Sequence, residues 1–288
     1  MIRTDPRNPK GIAWLASYPK SGNTWLRMFL YQLTRIMSGF PRETDEINRL
    51  ERSSTYETRL VDLFDRFLGK PLATATFLEM MRARSRVQAA IAARGAKTTL
   101  VKTHNLLGLV KDMPTINVAV SVGAVYVIRD PRDVAPSLSR HLGFTVDRAI
   151  EVMNTRTYAT GNSSEGAGEI WGSRSEHVLS WTGDPDSGVL VIRYEDMLAK
   201  PTETFSAVAR HLRLTPTPQQ IASAIEMSSF DHLQRQEQKI GFVERSERSE
   251  RFFAAGKAGT WQETLTPGQV KSIVDAHRAQ MARFGYRS

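Results

Sequence analysis

The stretch that decides the fold is residues 12–25, which read Ile-Ala-Trp-Leu-Ala-Ser-Tyr-Pro-Lys-Ser-Gly-Asn-Thr-Trp. Its first part is a short apolar run that ends at Ser17, typical of a strand buried in a parallel sheet. From Thr24 to Leu33 the apolar residues recur at helical spacing, with Thr24 near the helix start. The stretch therefore predicts a strand, a tight loop and a helix.

Further apolar runs predict three more strands, and proline-led stretches predict the helices that follow them. We expect strands at 98–102, 123–129 and 188–194, and helices from Pro131 onward and at 201–212, 218–227 and 267–283. Strands that alternate with helices favour an α/β fold. We predict a P-loop-like, doubly wound parallel sheet flanked by helices.

The segments between these elements are less regular, and we expect them to cover the site of a single domain, residues 1–288. These cap insertions are roughly 38–97, 141–185 and 235–255. Residues 38–97 carry no strand pattern and are predicted to be mainly helical. Residues 158–169, rich in Gly, Ser and Asn, predict a flexible loop. Residues 237–251 are dense in charge and predict a solvated loop or helix face.

Composition limits the class of protein. The chain has 39 Lys and Arg against 30 Asp and Glu, a formal net charge of +9, and no cysteine. Disulfides, thiolate metal sites and a thiol nucleophile are therefore excluded. No apolar stretch resembles a signal peptide or a membrane span, so we expect a cytoplasmic protein without integral membrane contact. The positive charge favours a polyanionic partner: nucleic acid, a membrane surface or a phosphorylated small molecule.

The loop between the first strand and helix has the chemistry of a phosphate site. Backbone N–H groups at a helix N-terminus face an anion. Lys20 adds a positive charge, and Ser21, Asn23 and Thr24 add neutral donors. Gly22 permits a close backbone approach. The order of residues differs from a Walker loop, in which the lysine directly precedes the magnesium-binding hydroxyl. A kinase that uses ATP and magnesium is therefore disfavoured but stays an alternative, as does a non-catalytic anion-binding or nucleic-acid-binding module.

Residues 18–25 resemble the 5′-phosphosulfate loop of the cytosolic-type sulfotransferases. These enzymes transfer a sulfuryl group from 3′-phosphoadenosine 5′-phosphosulfate (PAPS). Residues 126–137 are similar to the second motif of that family, which implies that Arg129 and Ser137 hold the 3′-phosphate. From the residues alone, Arg129 could instead pair with Asp130 or Asp133.

Weaker matches follow in the order of the family. The resemblance implies that His104 is the general base, and that Lys102 shares with Lys20 the stabilisation of the leaving group. It also assigns residues 228–230 and 256–261 to the nucleotide. The full set of predicted cofactor contacts is Lys20, Ser21, Gly22, Asn23, Thr24, Trp25, Arg129, Ser137, Tyr194, Ser228, Phe230, Gly256 and Lys257. Trp25, Phe230 and Trp261 could equally be core residues.

The sequence departs from the family at its C-terminal glycine motif. Ala254 and Ala255 stand before Gly256 where the family has Arg-Lys, so Lys257, Arg251 or Arg248 could replace the missing arginine. The family's dimer motif is also absent, so the resemblance leads to no prediction of the oligomeric state.

We expect the acceptor to be a small-molecule or natural-product hydroxyl, with no nucleic acid as partner. His141, His177 and His232 show no metal-ligand spacing, so we assign no metal.

Overall fold

A computed structural model describes residues 2, 10–40, 46–95, 97–245, 250–254 and 256–287. The chain divides into two compact units. The first consists of Met1–Tyr18, Thr55–Tyr126 and Asn154–Val191, and the second of Pro19–Ser54, Val127–Met153 and Ile192–Ser288. We describe each unit by itself.

The central sheet has five strands in the order β2-β3-β1-β6-β7. The strands of the fold are β1 (Gly11–Ser17), β2 (Thr55–Tyr56), β3 (Thr98–Thr103), β4 (Leu109–Val110), β5 (Met113–Pro114), β6 (Ser121–Ile128) and β7 (Val189–Arg193). β1 runs parallel to β3, with Gly11 beside Thr98 and Ala16 beside Thr103. Strand order reverses at β1, so the predicted α/β, doubly wound parallel sheet is confirmed.

β2 corrects the prediction that residues 38–97 hold no strand. Thr55 and Tyr56 pair in parallel with Val101 and Lys102. Two residues are too short to show an alternating or apolar pattern, and pairing with β3 alone makes them a strand. The rest of the described segment is helical or irregular.

Helices surround the sheet, and several start at the prolines that predicted them. They are α1 (Asn23–Met37), α2 (Val61–Leu68), α3 (Phe77–Arg94), α4 (Pro131–Leu142), α5 (Val146–Asn154), α6 (Arg174–Thr182), α7 (Tyr194–Ala199), α8 (Pro201–His211), α9 (Pro218–Met227), α10 (Phe230–Ile240), α11 (Trp261–Thr264) and α12 (Pro267–Arg283). Proline fits the first turn because it needs no N–H partner there. Full capping boxes start α3, α6, α9 and α12.

Each unit has its own buried apolar side chains. In the first unit, every residue of β1 is buried. In the second unit, an aromatic-rich cluster lies between α1 and α10. Its buried members are Met28, Tyr31, Ile47, Leu50, Leu233, Phe242 and Phe253, with Trp25, Phe230 and Phe252 packed at its margin. Trp25 and Phe230 thus join the core only in part.

Two glutamates in polar segments are more buried than predicted, whereas most described residues around them are exposed or partly exposed. Glu237 was expected in a solvated stretch, but its buried carboxylate accepts hydrogen bonds from the backbone N–H groups of Phe252 (2.6 Å) and Phe253 (2.9 Å). Residues 158–169 are irregular, as predicted, but Glu169 is buried, and its N–H donates to Thr160 Oγ1 (2.8 Å). Both departures have the same reason. Backbone N–H groups that the fold removes from water need hydrogen-bond acceptors, and these contacts supply them.

Candidate active site

The phosphate loop follows β1 and opens α1. Lys20 and Gly22 have φ angles of 66° and 108°. A Cβ at Gly22 would lie 2.7 Å from Tyr194 Cδ2, so this position requires glycine. Ser21, Asn23 and Thr24 are buried. α1 starts without a side-chain cap hydrogen bond, and the N–H groups in the first turn of any helix have no acceptor within the helix. The loop therefore presents donors suited to an anion.

Lys20 lies against an aromatic ring. Its Nζ is 4.0 Å from the ring centroid of Phe252, a cation–π contact. The contact places the predicted leaving-group lysine at the margin of the aromatic cluster of the second unit. The lysine is only partly buried.

Arg129 connects two predicted cofactor segments. It is 8% exposed and follows β6. One Nη donates to the carbonyl oxygen of Lys20 (3.3 Å) and the other to that of Lys257 (3.2 Å). Its guanidinium lies 4.3 Å from the ring centroid of Tyr194. The second unit thus brings Lys20, Arg129, Tyr194 and the Lys257 backbone together.

The two carboxylates considered as partners of Arg129 are engaged elsewhere. Asp130 forms an ion pair with Arg132 (2.8 Å). Asp133 accepts hydrogen bonds from the N–H groups of Gly259 (2.7 Å) and Trp261 (3.0 Å). Asp133 thus anchors the glycine motif. That anchoring was not predicted.

Positive charge is concentrated near Arg129. Burial, followed by the charge of Arg129, lowers the pKa of Arg140. Burial is the larger cause, and the smaller effect of Arg129 shows that the two guanidinium groups are near enough to repel each other. Burial raises the pKa of Tyr194, while Arg129 opposes that shift.

Aromatic side chains of the second unit surround the start of α1. Trp25 meets Tyr194 and Phe205 edge-on, with ring centroids 5.8 and 5.7 Å apart. Its indole Nε1 is buried and hydrogen-bonds no other residue in the described part of the chain. Gly256 has φ 60°, and a Cβ there would collide with the Phe230 ring, so the glycine motif is pressed onto that ring.

The remaining predicted cofactor residues are less distinctive. Ser137 is half-buried on α4, and Lys257 is exposed. Ser228 is fully buried, and its hydroxyl donates to the carbonyl oxygen of Ala224 (2.7 Å). That hydroxyl is committed to the end of α9, which leaves only its lone pairs for a ligand. Arg248 and Ala255 lie outside the described residues.

In the first unit, Lys102 and His104 lie at the C-terminal end of β3, both buried. His104 Nδ1 is 2.8 Å from the carbonyl oxygen of Ser17. A carbonyl only accepts, so in the neutral ring Nδ1 carries the proton and Nε2 carries the lone pair. This tautomer suits His104 to accept a proton at Nε2. Lys102 Nζ lies 3.9 Å from the ring centroid of Tyr56.

The main chain of His104 is held from both sides. Its N–H donates to Glu169 Oε1 (3.3 Å), and its carbonyl oxygen accepts from His177 Nε2 (3.0 Å). His177 Nδ1 is then the acceptor for the Tyr126 hydroxyl (2.9 Å). Burial lowers the pKa of His177 to about 3, so the ring is neutral.

Sequence reasoning missed Tyr56, Glu169 and His177. His177 was weighed only as a metal ligand, and the other two fell in predicted caps. Their partners are remote in sequence, such as residues 56 and 169, so no local spacing could have indicated them. A periodic pattern reports on one element and not on side chains that meet through the fold.

Two negative findings apply to the described residues only. No three or more His, Asp or Glu side chains there could hold a metal ion. Within the same residues, no helix is long and apolar enough to cross a membrane.

The fold and site define an α/β protein in which a glycine-containing loop follows the first strand and opens a helix. Its residues 11–285 match the family of the sulfotransferase domain, and the chain belongs to that family. The family prediction is confirmed, and the chain is a sulfotransferase.

Several sulfotransferases are identical to this chain at about a quarter of the aligned residues. Cytosolic sulfotransferase 13 of Arabidopsis thaliana is 25% identical over 279 residues, covering 90% of this chain and 73% of the relative. Flavonol 3-sulfotransferase of Flaveria bidentis is 24% identical over 278 residues, covering 90% and 78%.

Solved structures share the fold. Retinol dehydratase, in a complex with retinol and 3′-phosphoadenosine 5′-phosphate (PAP), superposes with a TM-score of 0.64 at 21% identity, over 96% of this chain and 82% of that one. A mouse sulfotransferase complexed with PAP gives 0.58 at 18% identity, over 97% and 86%.

Proposed function

We propose that this sulfotransferase uses PAPS as donor and transfers its sulfuryl group to the hydroxyl of a small molecule. The observation that carries the proposal is the loop at the start of α1, where an uncapped helix N-terminus lies beside Lys20 and Arg129. PAP in the solved structures of retinol dehydratase and the mouse sulfotransferase supports the choice of donor.

The donor set fits a nucleotide with two anionic ends. In this proposal, residues 20–24 bind the 5′-phosphosulfate through N–H groups, hydroxyls and the Lys20 ammonium. Arg129 and Ser137 bind the 3′-phosphate, because a guanidinium fork and a hydroxyl suit phosphate oxygens. The buried indole N–H of Trp25, which has no hydrogen-bond acceptor in the described part of the chain, is a feature that a bound ligand explains.

Aromatic side chains of the protein bind the adenine of the nucleotide. Trp25, Tyr194 and Phe230 offer aromatic faces or edges to adenine. Ser228, through its remaining lone pairs, and the backbone at Gly256 complete the set. For the arginine missing from the glycine motif we propose Lys257, because its own carbonyl oxygen binds the guanidinium of Arg129.

The chain's residues then perform three tasks. Bound PAPS supplies the sulfuryl group, and the acceptor oxygen attacks sulfur in line. His104 Nε2 accepts the acceptor's proton, since Nδ1 is committed to Ser17. Lys20 and Lys102 stabilise negative charge on the leaving phosphate oxygen. The protein mainly positions groups and balances charge, as in phosphoryl transfer.

For the acceptor, we propose a small hydroxylated molecule with an apolar or aromatic body. Tyr56 lies edge-on to His104, with ring centroids 6.4 Å apart, so the proposed base has an aromatic neighbour. The names of relatives point the same way: one acts on a flavonol, and retinol dehydratase binds retinol. We propose a cytoplasmic location, supported by relatives named cytosolic.

The test is transfer of label from ³⁵S-PAPS to a panel of phenols and aliphatic alcohols, including 2-naphthol. We expect labelled sulfate esters to form with wild-type protein. The His104→Ala variant should lose roughly 10²–10⁴-fold in kcat, the usual contribution of a general base, with unchanged affinity for PAP. A kcat within threefold of wild type would remove His104 from the mechanism. Phosphate transfer from ATP with magnesium, and none from PAPS, would contradict the donor.

A further inference from the structure

The end of β3 carries a polar network whose hydrogen bonds have no part in the proposed function. It consists of Tyr56, Glu169 and Trp171, all in the first unit and all outside the motifs of the sequence. Glu169 is 6% exposed. A carboxylate buried this far needs donors, because a charged group loses its hydration on burial.

Glu169 has three such donors. Its Oε1 accepts from the Tyr56 hydroxyl (3.1 Å) and from the N–H of His104 (3.3 Å). Its Oε2 accepts from Trp171 Nε1 (3.2 Å). One carboxylate oxygen therefore binds both the proposed base's own peptide and the tyrosine of β2.

Tyr56 extends the network to the second proposed catalytic residue of this unit. Parallel pairing places Tyr56 beside Lys102. The Lys102 ammonium lies over its ring, 3.9 Å from the centroid, and the Arg59 guanidinium lies 5.8 Å from the same centroid. A hydrogen bond from the phenol to a carboxylate orients the ring and increases its electron density, which strengthens its hold on a cation.

We infer that Glu169 is a positioning residue for sulfuryl transfer, acting on His104 through its peptide N–H and on Lys102 through the ring of Tyr56. The inference rests on the proposed roles of His104 and Lys102. In this role Glu169 acts through these two residues and not through contact with donor or acceptor. Its function is to fix two side chains whose distance and direction decide the rate of the chemical step.

Three variants test this role. Glu169→Gln keeps the shape but removes the charge and sets an amide N–H against the Trp171 N–H or the Tyr56 hydroxyl. Tyr56→Phe removes only the hydroxyl and keeps the packed ring under Lys102. We expect this variant to fold, so it tests the network even if Glu169→Gln is unstable. Glu165→Gln is the matched control: the same change at an exposed glutamate of the same loop.

The first readout is kinetic, with ³⁵S-PAPS and 2-naphthol. Glu169→Gln is expected to lower kcat on the order of tenfold, with the KM for 2-naphthol and the Kd for PAP changed less than twofold. Tyr56→Phe should lower kcat in the same sense but less. Glu165→Gln should match wild type. Loss of kcat in step with thermal stability and PAP affinity would overturn the inference, because a merely structural role gives that pattern.

The second readout does not need activity. In protein labelled with ¹³C-lysine, the Cε resonances of Lys102 should be shifted upfield by the Tyr56 ring, and Lys102→Arg assigns them. Glu169→Gln and Tyr56→Phe should both move these resonances toward unshifted values. A kcat within twofold of wild type in Glu169→Gln, or an unmoved Lys102 resonance, would overturn the inference. Full activity of His104→Ala would instead contradict the proposed function. The Lys102 resonance does not depend on that activity, so the two failures are distinguishable.

Discussion

Lys20 is the side chain on which the proposed chemistry depends most. Its backbone has a positive φ angle, its ammonium packs on the Phe252 ring, and its carbonyl oxygen accepts a hydrogen bond from Arg129. A non-glycine residue held at positive φ is strained, and such strain gathers at functional loops. The backbone and the ammonium of this residue thus have separate tasks.

Removing the ammonium should slow transfer without unfolding the protein. We expect Lys20→Ala to lower kcat on the order of 10²–10³-fold, because a positioned cation no longer meets the developing charge. The control is Lys111→Ala, which removes an exposed lysine that also has positive φ. Steady-state kinetics and thermal melts of both variants decide the matter. Near-normal turnover in Lys20→Ala would exclude it from the mechanism.

His177 gives a prediction about stability and pH. Its folded pKa of about 3 lies below the unfolded value, so the unfolded chain binds the proton more tightly. The stability that the neutral ring provides is therefore complete above about pH 6.5 and is lost as pH falls toward 3, a change of several kcal/mol.

The measurement is urea unfolding of wild type and His177→Gln between pH 4 and pH 7.5. Glutamine can still accept from Tyr126 and donate to His104, yet it does not titrate. We expect the unfolding free energy of wild type to fall more steeply with acidification than that of the variant. Parallel curves would mean that the histidine is not held neutral.

At the scale of elements, the sequence predicted those strands, helices and loops whose pattern lies in consecutive residues. The apolar run of β1, the prolines at 131, 201, 218 and 267, and the loop at 18–25 are each encoded in consecutive residues, and the structure has the corresponding strand and helices. β2 was not predictable, since two residues carry no period and only β3 defines them. The same reason hid Glu169 and Glu237, whose partners are remote in sequence.

The loop that opens α1 should not tolerate a side chain at Gly22. Gly22→Ala would set a Cβ 2.7 Å from Tyr194 at a φ of 108°, so we expect PAP affinity to fall at least tenfold and the melting temperature to drop. Gly39→Ala is the matched control, a glycine at φ 71° with open space around its Cβ position. Calorimetry with PAP compares them. Equal PAP affinity in the two variants would show that the loop can deform.

At the scale of the whole molecule, the proposed residues separate by unit. Every residue of the predicted cofactor-binding set lies in the second unit, whereas the proposed catalytic residues Lys102 and His104 lie in the first. Substitutions at His104 should therefore leave PAP binding intact, as proposed above. The family match over residues 11–285 covers both units. The single domain of the sequence analysis stays a prediction, as do the individual site residues.

Charge was the least informative of the sequence signals. A net charge of +9 fitted nucleic acid, membrane and nucleotide alike. The fold is more informative: the Arg129 guanidinium donates to the backbone carbonyl of Lys20, and burial together with the charge of Arg129 lowers the pKa of Arg140. Such convergence depends on the fold, so composition could not supply it.

Binding of PAP is the measurement that tests the central claim most directly. Calorimetry and thermal melts with PAP, without metal, are compared with ATP plus magnesium. At 100 times its Kd, PAP should stabilise the protein by about 2.7 kcal/mol, a shift of several degrees. We predict metal-independent binding of PAP in preference to ATP, weakened at least tenfold in Gly22→Ala. Preference for ATP with magnesium, or no binding of PAP, would contradict the account.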